Sequence, residues 1–181
     1  MEMSDGPVAD AMVRLVQERL SRGESVTFTI ISDSMLPWLA AGGRVLIQPA
    51  TGRVLRVGDV VIAPMADRRW ITHRIIHGYQ RDGRQFWVTK GDSNSHADAP
   101  LLASEIWGIV AKYCPPGAGQ DDGPWFSLGS RTMRSLATVV AILSRTQVAL
   151  AGAPVYLVRR YAPSGARRLQ QWLWRIAGGW V

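Results

Sequence analysis

Two serines stand one residue apart where an alternating, strand-like stretch ends. Ser32 and Ser34 follow the stretch 26–30, and Pro37 comes three residues after the second serine. A serine hydroxyl becomes a useful nucleophile at neutral pH only when a base takes its proton and an oxyanion site accepts the developing charge. The same residues also fit a polar strand end that is closed by a proline. This segment alone therefore predicts either a catalytic serine or a simple end of a strand.

The chain offers three histidines as the base, namely His73, His77 and His96. Alternation along the stretch 70–76 places His73 on the face that carries apolar side chains, where support is rigid and water is partly excluded. A core histidine without chemistry fits that position as well. His77 shares the face but lies at the predicted strand end, and His96 is the reserve candidate for the base.

A polar loop after the stretch 86–88 contains two aspartates, Asp92 and Asp98. A carboxylate in such a loop can fix the tautomer of a histidine and stabilise its protonated form. An Asx-rich turn that caps backbone groups is the alternative for this loop. The residue types thus suit acyl transfer, on condition that folding brings Ser34, His73 and one aspartate together.

Short strands and turns are predicted for the part of the chain that contains these residues. The strand candidates are 26–30, 45–47, 60–62, 70–76, 86–88 and 106–111. Glycine-containing dipeptides such as Asp82-Gly83 mark turns between them. Many strands at short spacing predict a compact, mainly β domain.

Both ends of the chain have a different composition. Residues 1–24 are predicted to contain an amphipathic helix, residues 25–114 the core domain, and the Pro- and Gly-rich residues 115–130 a linker. Residues 131–181 are predicted to form a cationic helical extension with eight arginines and no acidic residue. Such charge favours an acidic partner, and Trp with Arg on one helix suits an anionic membrane surface. Packing of this extension on the domain or on a partner protein is the alternative.

The composition narrows the class of protein further. With 181 residues, 47% of them hydrophobic and 19% charged, the chain is predicted to be globular. A single cysteine, Cys114, excludes an intramolecular disulfide and a Cys-rich zinc site, and no cofactor or metal is predicted. Neither a signal peptide nor an apolar run of spanning length is visible, which predicts a cytoplasmic or peripherally membrane-associated protein. Nucleic acid is not predicted as a partner.

Taken in chain order, the segments 32–37, 72–74 and 90–98 resemble the motifs of the type I signal peptidase superfamily, the S24/S26 serine peptidases. The resemblance covers about residues 25–113. Many bacterial members have lysine as the base, whereas His73 resembles the branch found in the endoplasmic reticulum, archaea and spore-forming bacteria. The chain departs from the usual family residues at Gly43 and Ser93.

The resemblance implies a role for each matched position. Ser34 is expected to be the nucleophile, His73 the base, Asp98 the carboxylate that pairs with the histidine, and Ser32 the hydroxyl that joins the Ser34 N–H in the oxyanion hole. Structural roles around the site are expected for Asp92, Lys90, Met35 and Pro37.

The function that the resemblance implies is that of a serine endopeptidase of signal-peptidase type. Such an enzyme removes a leader or signal segment from a polypeptide precursor, which it binds as an extended strand with small residues on the acyl side of the cut. A soluble maturation peptidase for one dedicated precursor is an alternative. A non-catalytic or self-cleaving regulator of S24 type is another, although residues 1–24 are too few for the DNA-binding domain that usually precedes it.

Overall fold

The computed structural model describes residues 7–65, 70–117 and 124–149. Two helices flank the described chain: α1 is Pro7–Ser21 and α2 is Arg131–Ala149. The strands between them are β1 Val26–Thr29, β2 Arg44–Pro49, β3 Val60–Pro64, β4 Trp70–Arg81, β5 Arg84–Lys90, β6 Leu101–Leu102, β7 Gly108–Cys114 and β8 Phe126–Ser127, with a short 3-10 helix at Ala103–Glu105.

All eight strands belong to one antiparallel sheet. Its order is β1-β2-β7-β3-β4-β5-β6, and β8 pairs with β7. The prediction of a mainly β domain with a helix on either side in sequence is therefore confirmed. Every predicted strand corresponds to an observed one, but β6 and β8 have only two residues each and were not predicted.

Strand β3 joins the two hydrophobic clusters of the core. Val60 and Ile62 belong to one cluster, and Val61 and Ala63 belong to the other. Successive residues of a strand point to opposite faces of the sheet, and all four side chains are buried because a cluster covers each face. A sheet covered on both faces at its centre gives its central strands a rigid setting, and β4 with His73 lies directly beside β3.

The hairpin of β4 and β5 is longer than the alternation of the sequence predicts. β4 continues to Arg81, past the predicted end at residue 76, and the turn is formed by Asp82 and Gly83, both with positive φ. Two such residues give the turn the twist that a two-residue hairpin requires. The residues near the turn are largely exposed, so the strand pairing continues beyond the residues whose apolar alternation predicts a strand.

The chain beyond Cys114 also contributes to the domain. Within the predicted linker 115–130, Phe126 pairs with Tyr113 in the sheet. In α2, Met133 and Ala141 are buried, and Met133 belongs to the cluster that contains Val60. Residues 150–181, which include the Trp- and Arg-rich stretch 166–181, lie outside the described residues. Among the described residues, no helix is both long and apolar enough to cross a membrane.

Candidate functional site

The segment with the two serines connects β1 to β2 and is anchored through its apolar residues. Met35 is buried in the core, and its carbonyl accepts the N–H groups of Trp38 and Leu39, both at 3.0 Å. The Leu36–Pro37 peptide bond is cis. Because the neighbour of Ser34 is fixed in the core, Ser34 is held half-buried at the surface of the domain.

A second support lies behind this segment, at Tyr113 of β7. The Tyr113 ring is fully buried, and its hydroxyl accepts the N–H of Ala40 at 3.1 Å. A Cβ added to Gly43 would lie 2.6 Å from that ring. Glycine is thus required at position 43 for the loop to lie on the tyrosine.

His73 lies on β4 and faces Ser34. Its Nε2 is 3.3 Å from Ser34 Oγ, and its Nδ1 is 2.6 Å from Asp98 Oδ2. The residue is 6% exposed, so the ring is enclosed on a rigid strand and retains one edge toward the serine. The imidazole thus lies between a hydroxyl and a carboxylate. In this arrangement a histidine can take a proton from a serine.

Thr89 holds the carboxylate of this arrangement in place. Its hydroxyl donates to Asp98 Oδ2 at 2.7 Å, and its carbonyl accepts the N–H of Asp98 at 2.8 Å. Thr89 is fully buried at the end of β5. Sequence reasoning did not select this residue, and the only local signal was a hydroxyl side chain shortly before the polar loop.

Ser32 and the loop 91–94 surround the nucleophile candidate. Ser32 Oγ lies 3.3 Å from Ser34 Oγ, which places a second hydroxyl beside the candidate nucleophile. Ser93 donates its N–H to the Ser34 carbonyl at 2.9 Å and its hydroxyl to the Asp33 carbonyl at 2.8 Å. Ser93 thus fastens the loop to the serine segment.

The other aspartate of the loop, Asp92, pairs with Arg74 instead of a histidine. The guanidinium donates to both carboxylate oxygens, at 2.8 and 2.7 Å, and also to the carbonyl of Gly58 at 2.9 Å. Both side chains of the ion pair are almost completely buried. Arg74 and His73 are neighbours on β4 and point to opposite faces, so one strand positions both the candidate base and the anchor of the loop.

Lys90 lies beside this ion pair and is also buried. Burial lowers the pKa of its ammonium group, and the nearby carboxylates Asp92 and Asp98 oppose that shift. Its Nζ donates to the carbonyl of Gly91 at 3.2 Å. Lys90 thus contacts the start of the loop that carries both aspartates, and its structural role around the site stays a prediction.

The two other histidines have different surroundings. The His77 ring stacks on Tyr79, with 5.9 Å between the ring centroids, after a bulge in the ladder between β4 and β5. His96 is exposed, and its Nδ1 is 2.7 Å from the hydroxyl of Ser95. Of the three histidines, the structure brings His73 to Ser34.

The buried pair of Arg74 and Asp92 leads to a prediction about stability. Asp92→Asn leaves two buried cations, Arg74 and Lys90, without that carboxylate, and we expect the free energy of unfolding to fall by about 3–5 kcal/mol. Urea unfolding at neutral pH measures this change. The same substitution at Asp82, whose ion pair with Arg81 is exposed, is the matched control and should change stability little. Equal losses in the two variants would contradict the prediction.

Comparison with known proteins gives three curated relatives. Signal peptidase I W of Bacillus subtilis (strain 168) is 29% identical over 97 residues, which are 50% of this chain and 51% of that protein. The signal peptidase complex catalytic subunit SEC11 is 30% identical over 108 residues in Lachancea thermotolerans and 28% identical over 106 residues in Yarrowia lipolytica. These matches cover 53% of this chain and 64% and 61% of the two subunits. No family model matches the chain.

The sheet and the segments packed around it define a signal peptidase-like β domain. The chain is signal peptidase-like in sequence as well, as the three ordered segments predict, and that prediction is confirmed. The chain spans between about half and just under two thirds of the length of the curated relatives that it matches.

Proposed function

We propose that this protein is a serine endopeptidase of signal-peptidase type, which removes a leader or signal segment from a polypeptide precursor. One observation carries the proposal: the chain of contacts from Ser34 Oγ to His73 Nε2 at 3.3 Å, and from His73 Nδ1 to Asp98 Oδ2 at 2.6 Å. The similarity to signal peptidases from a bacterium and two yeasts supports the same class of reaction.

Acylation is the first step of the proposed reaction. Ser34 Oγ attacks the carbonyl carbon of the scissile peptide bond while His73 Nε2 takes the hydroxyl proton. Asp98 stabilises the resulting imidazolium through Nδ1. The tetrahedral intermediate then expels the amine, which receives the proton from His73, and the acyl group remains on Ser34 as an ester.

Deacylation reverses the roles with water as the nucleophile. His73 takes a proton from water, the hydroxide attacks the ester, and Ser34 leaves with the proton that His73 returns. In both steps negative charge develops on the carbonyl oxygen. Ser32 Oγ, 3.3 Å from Ser34 Oγ, and the Ser34 N–H are the donors that we assign to this oxyanion.

The position of β1 suits an extended substrate. β1 is the end strand of the described sheet and leads directly into the segment with Ser32 and Ser34. A peptide that adds to such an edge gains main-chain hydrogen bonds, and alternate side chains are then available for selection. We assign small residues to the acyl side of the cut, as the resemblance to signal peptidases implies.

A peptide library tests the proposed function directly. The full chain is incubated with peptides of varied sequence, and mass spectrometry identifies the products. We expect cleavage after small residues, with products whose masses correspond to addition of one water molecule. Absence of any cleavage across a library that a related signal peptidase cuts would overturn the proposal.

Helix α2 presents a surface that supports association with an anionic membrane. Val139, Ile142 and Leu143 are 51%, 54% and 63% exposed, and they share the outer side of the helix with arginines at its edge. Exposed Arg131 and Arg145 add positive charge, and α2 contains no acidic residue. Apolar side chains beside arginines are the composition of a helix that lies in a membrane interface.

Binding to vesicles is the corresponding prediction. We expect the protein to sediment with vesicles that contain anionic lipid, to bind neutral vesicles less, and to dissociate as salt rises to about 0.5 M. Arg145→Gln should weaken binding about fivefold, since one cation near an anionic surface contributes about 1 kcal/mol. The matched control is Arg84→Gln on the hairpin of β4 and β5. Absence of binding to anionic vesicles would favour a soluble maturation peptidase.

A further inference from the structure

A second concave region lies away from the proposed peptidase site. It is a cavity of about 530 Å³ between the sheet and the first turns of α2. Its walls come from β2, β3 and β7, from the segment 53–59 and from residues 127–138. Ser34, His73 and Asp98 do not line it. Its volume falls in the range of cavities that enclose a small organic molecule.

The floor of this cavity is apolar. Leu39, Val60, Val110 and Met133 line it, and all four belong to the larger hydrophobic cluster. Trp38, which packs against the same cluster, lines it as well. A ligand that enters the cavity therefore meets aliphatic and aromatic surface, which favours a molecule with an apolar body.

The charged side chains of the lining are mainly cationic. Among the described residues they are five cations and one acid: Arg53, Arg56, Arg74, Lys112, Arg134 and Asp59. Arg74 is already bound to Asp92, and the positive charges of Arg134 and Arg56 act on the Asp59 carboxylate. Within the described part of the chain, neither Arg53 nor Lys112 pairs with a carboxylate. Positive charge therefore exceeds negative charge among the described residues that line the cavity.

A further feature adds to this excess. The first turn of α2 lines the cavity and has no acidic residue, so the partial positive charge of the helix N-terminus is not offset there. This partial charge favours an anion over a cation in the cavity.

We propose that this cavity binds a small amphiphilic anion, a phosphate or carboxylate on an apolar body, with Arg53 and Lys112, exposed cations of the lining, as the residues that bind the anionic group. Charge complementarity selects the head group and the apolar floor selects the body. This site is concave and has room for one small molecule, which distinguishes it from the outer surface of α2. The proposal does not depend on the peptidase function, because it concerns a different set of residues.

Titration calorimetry with three probes tests the proposal on the full chain. Decyl phosphate, below the concentration at which it forms micelles, should bind with a stoichiometry of one. Inorganic phosphate lacks the apolar body and decyl glucoside lacks the charge, so each should bind at least about tenfold more weakly. Equal affinity for decyl phosphate and decyl glucoside would overturn the anionic part of the proposal, and equal affinity for the two phosphates would overturn the apolar part.

Two double variants assign the binding to the cavity. Arg53→Gln with Lys112→Gln should weaken decyl phosphate binding at least about tenfold, because both charges that meet the head group are lost. Arg81→Gln with Arg84→Gln removes the same charge from the hairpin of β4 and β5 and should leave the affinity unchanged. All four side chains are exposed, so both variants are expected to fold. Equal loss in both, or no saturable binding to the unmodified protein, would refute the site.

Discussion

Ser34→Ala is expected to abolish peptide cleavage, with a fall in kcat of about 10⁴-fold or more. The reason is that Ser34 Oγ is the atom that forms the acyl-enzyme in the proposed mechanism, and alanine has no group that can replace it. His73 can still accept a proton from water, so only slow cleavage without an acyl-enzyme would remain. Single-turnover kinetics on a peptide identified from the library measures the loss.

A neighbouring serine supplies the control for this variant. Ser95→Ala removes an equivalent hydroxyl from an exposed position whose contact is with His96, and cleavage should proceed at the unmodified rate. Circular dichroism and urea unfolding of both variants separate a chemical effect from a loss of folding. Cleavage by Ser34→Ala at more than about a hundredth of the normal rate would exclude this serine as the nucleophile.

Asp98→Asn is expected to lower kcat by about 10³ to 10⁴-fold. Asp98 Oδ2 lies 2.6 Å from His73 Nδ1 and accepts a hydrogen bond from the Thr89 hydroxyl at 2.7 Å, so one carboxylate oxygen contacts both residues. An amide in its place has no charge to stabilise an imidazolium and can turn its NH₂ group toward Nδ1. The neutral histidine would then carry its proton on Nε2. A protonated Nε2 cannot accept the hydroxyl proton of Ser34.

Substitution of the histidines tests whether His73, the partner of Asp98, is the base. His73→Ala should reduce kcat at least as much as Asp98→Asn, because the base itself is lost. His96→Ala should leave kcat unchanged, since that side chain is exposed and contacts Ser95. If His96→Ala were the variant that lost activity, the assignment of the base to His73 would be wrong.

Asp92→Asn provides a comparison that distinguishes chemistry from support. Asp92 contacts Arg74 and has no contact with His73 in the structure, so its loss should appear first in the free energy of unfolding. Asp98→Asn should appear first in kcat, because Asp98 is 18% exposed in its side chain and lies beside the reacting groups. Although the two aspartates lie in one loop, Asp92→Asn is predicted to act mainly on stability and Asp98→Asn mainly on kcat.

Local sequence patterns were sufficient to predict the class of fold. Alternating apolar residues indicate strands because successive side chains of a strand face opposite sides of a sheet, and Asp82-Gly83 indicates a tight hairpin because that turn needs two residues that tolerate positive φ. The two-residue strands β6 and β8 are too short to show alternation of apolar and polar residues. β8 pairs through Phe126 in a stretch whose prolines and glycines resemble a linker, and a two-residue ladder has no periodicity to read.

For the site, the sequence by itself determined which chemical groups are present and in which order they follow one another. The residue types and their spacing did not determine which groups meet, because Ser34 and His73 are 39 residues apart and their contact depends on the packing of a loop against a strand. The expectation that Ser34, His73 and Asp98 act together came from the resemblance to signal peptidases. Only the tertiary structure decided that Thr89 holds Asp98 and that Arg74 holds Asp92. Strand register and burial set these contacts, and both result from the whole sheet rather than from neighbouring residues.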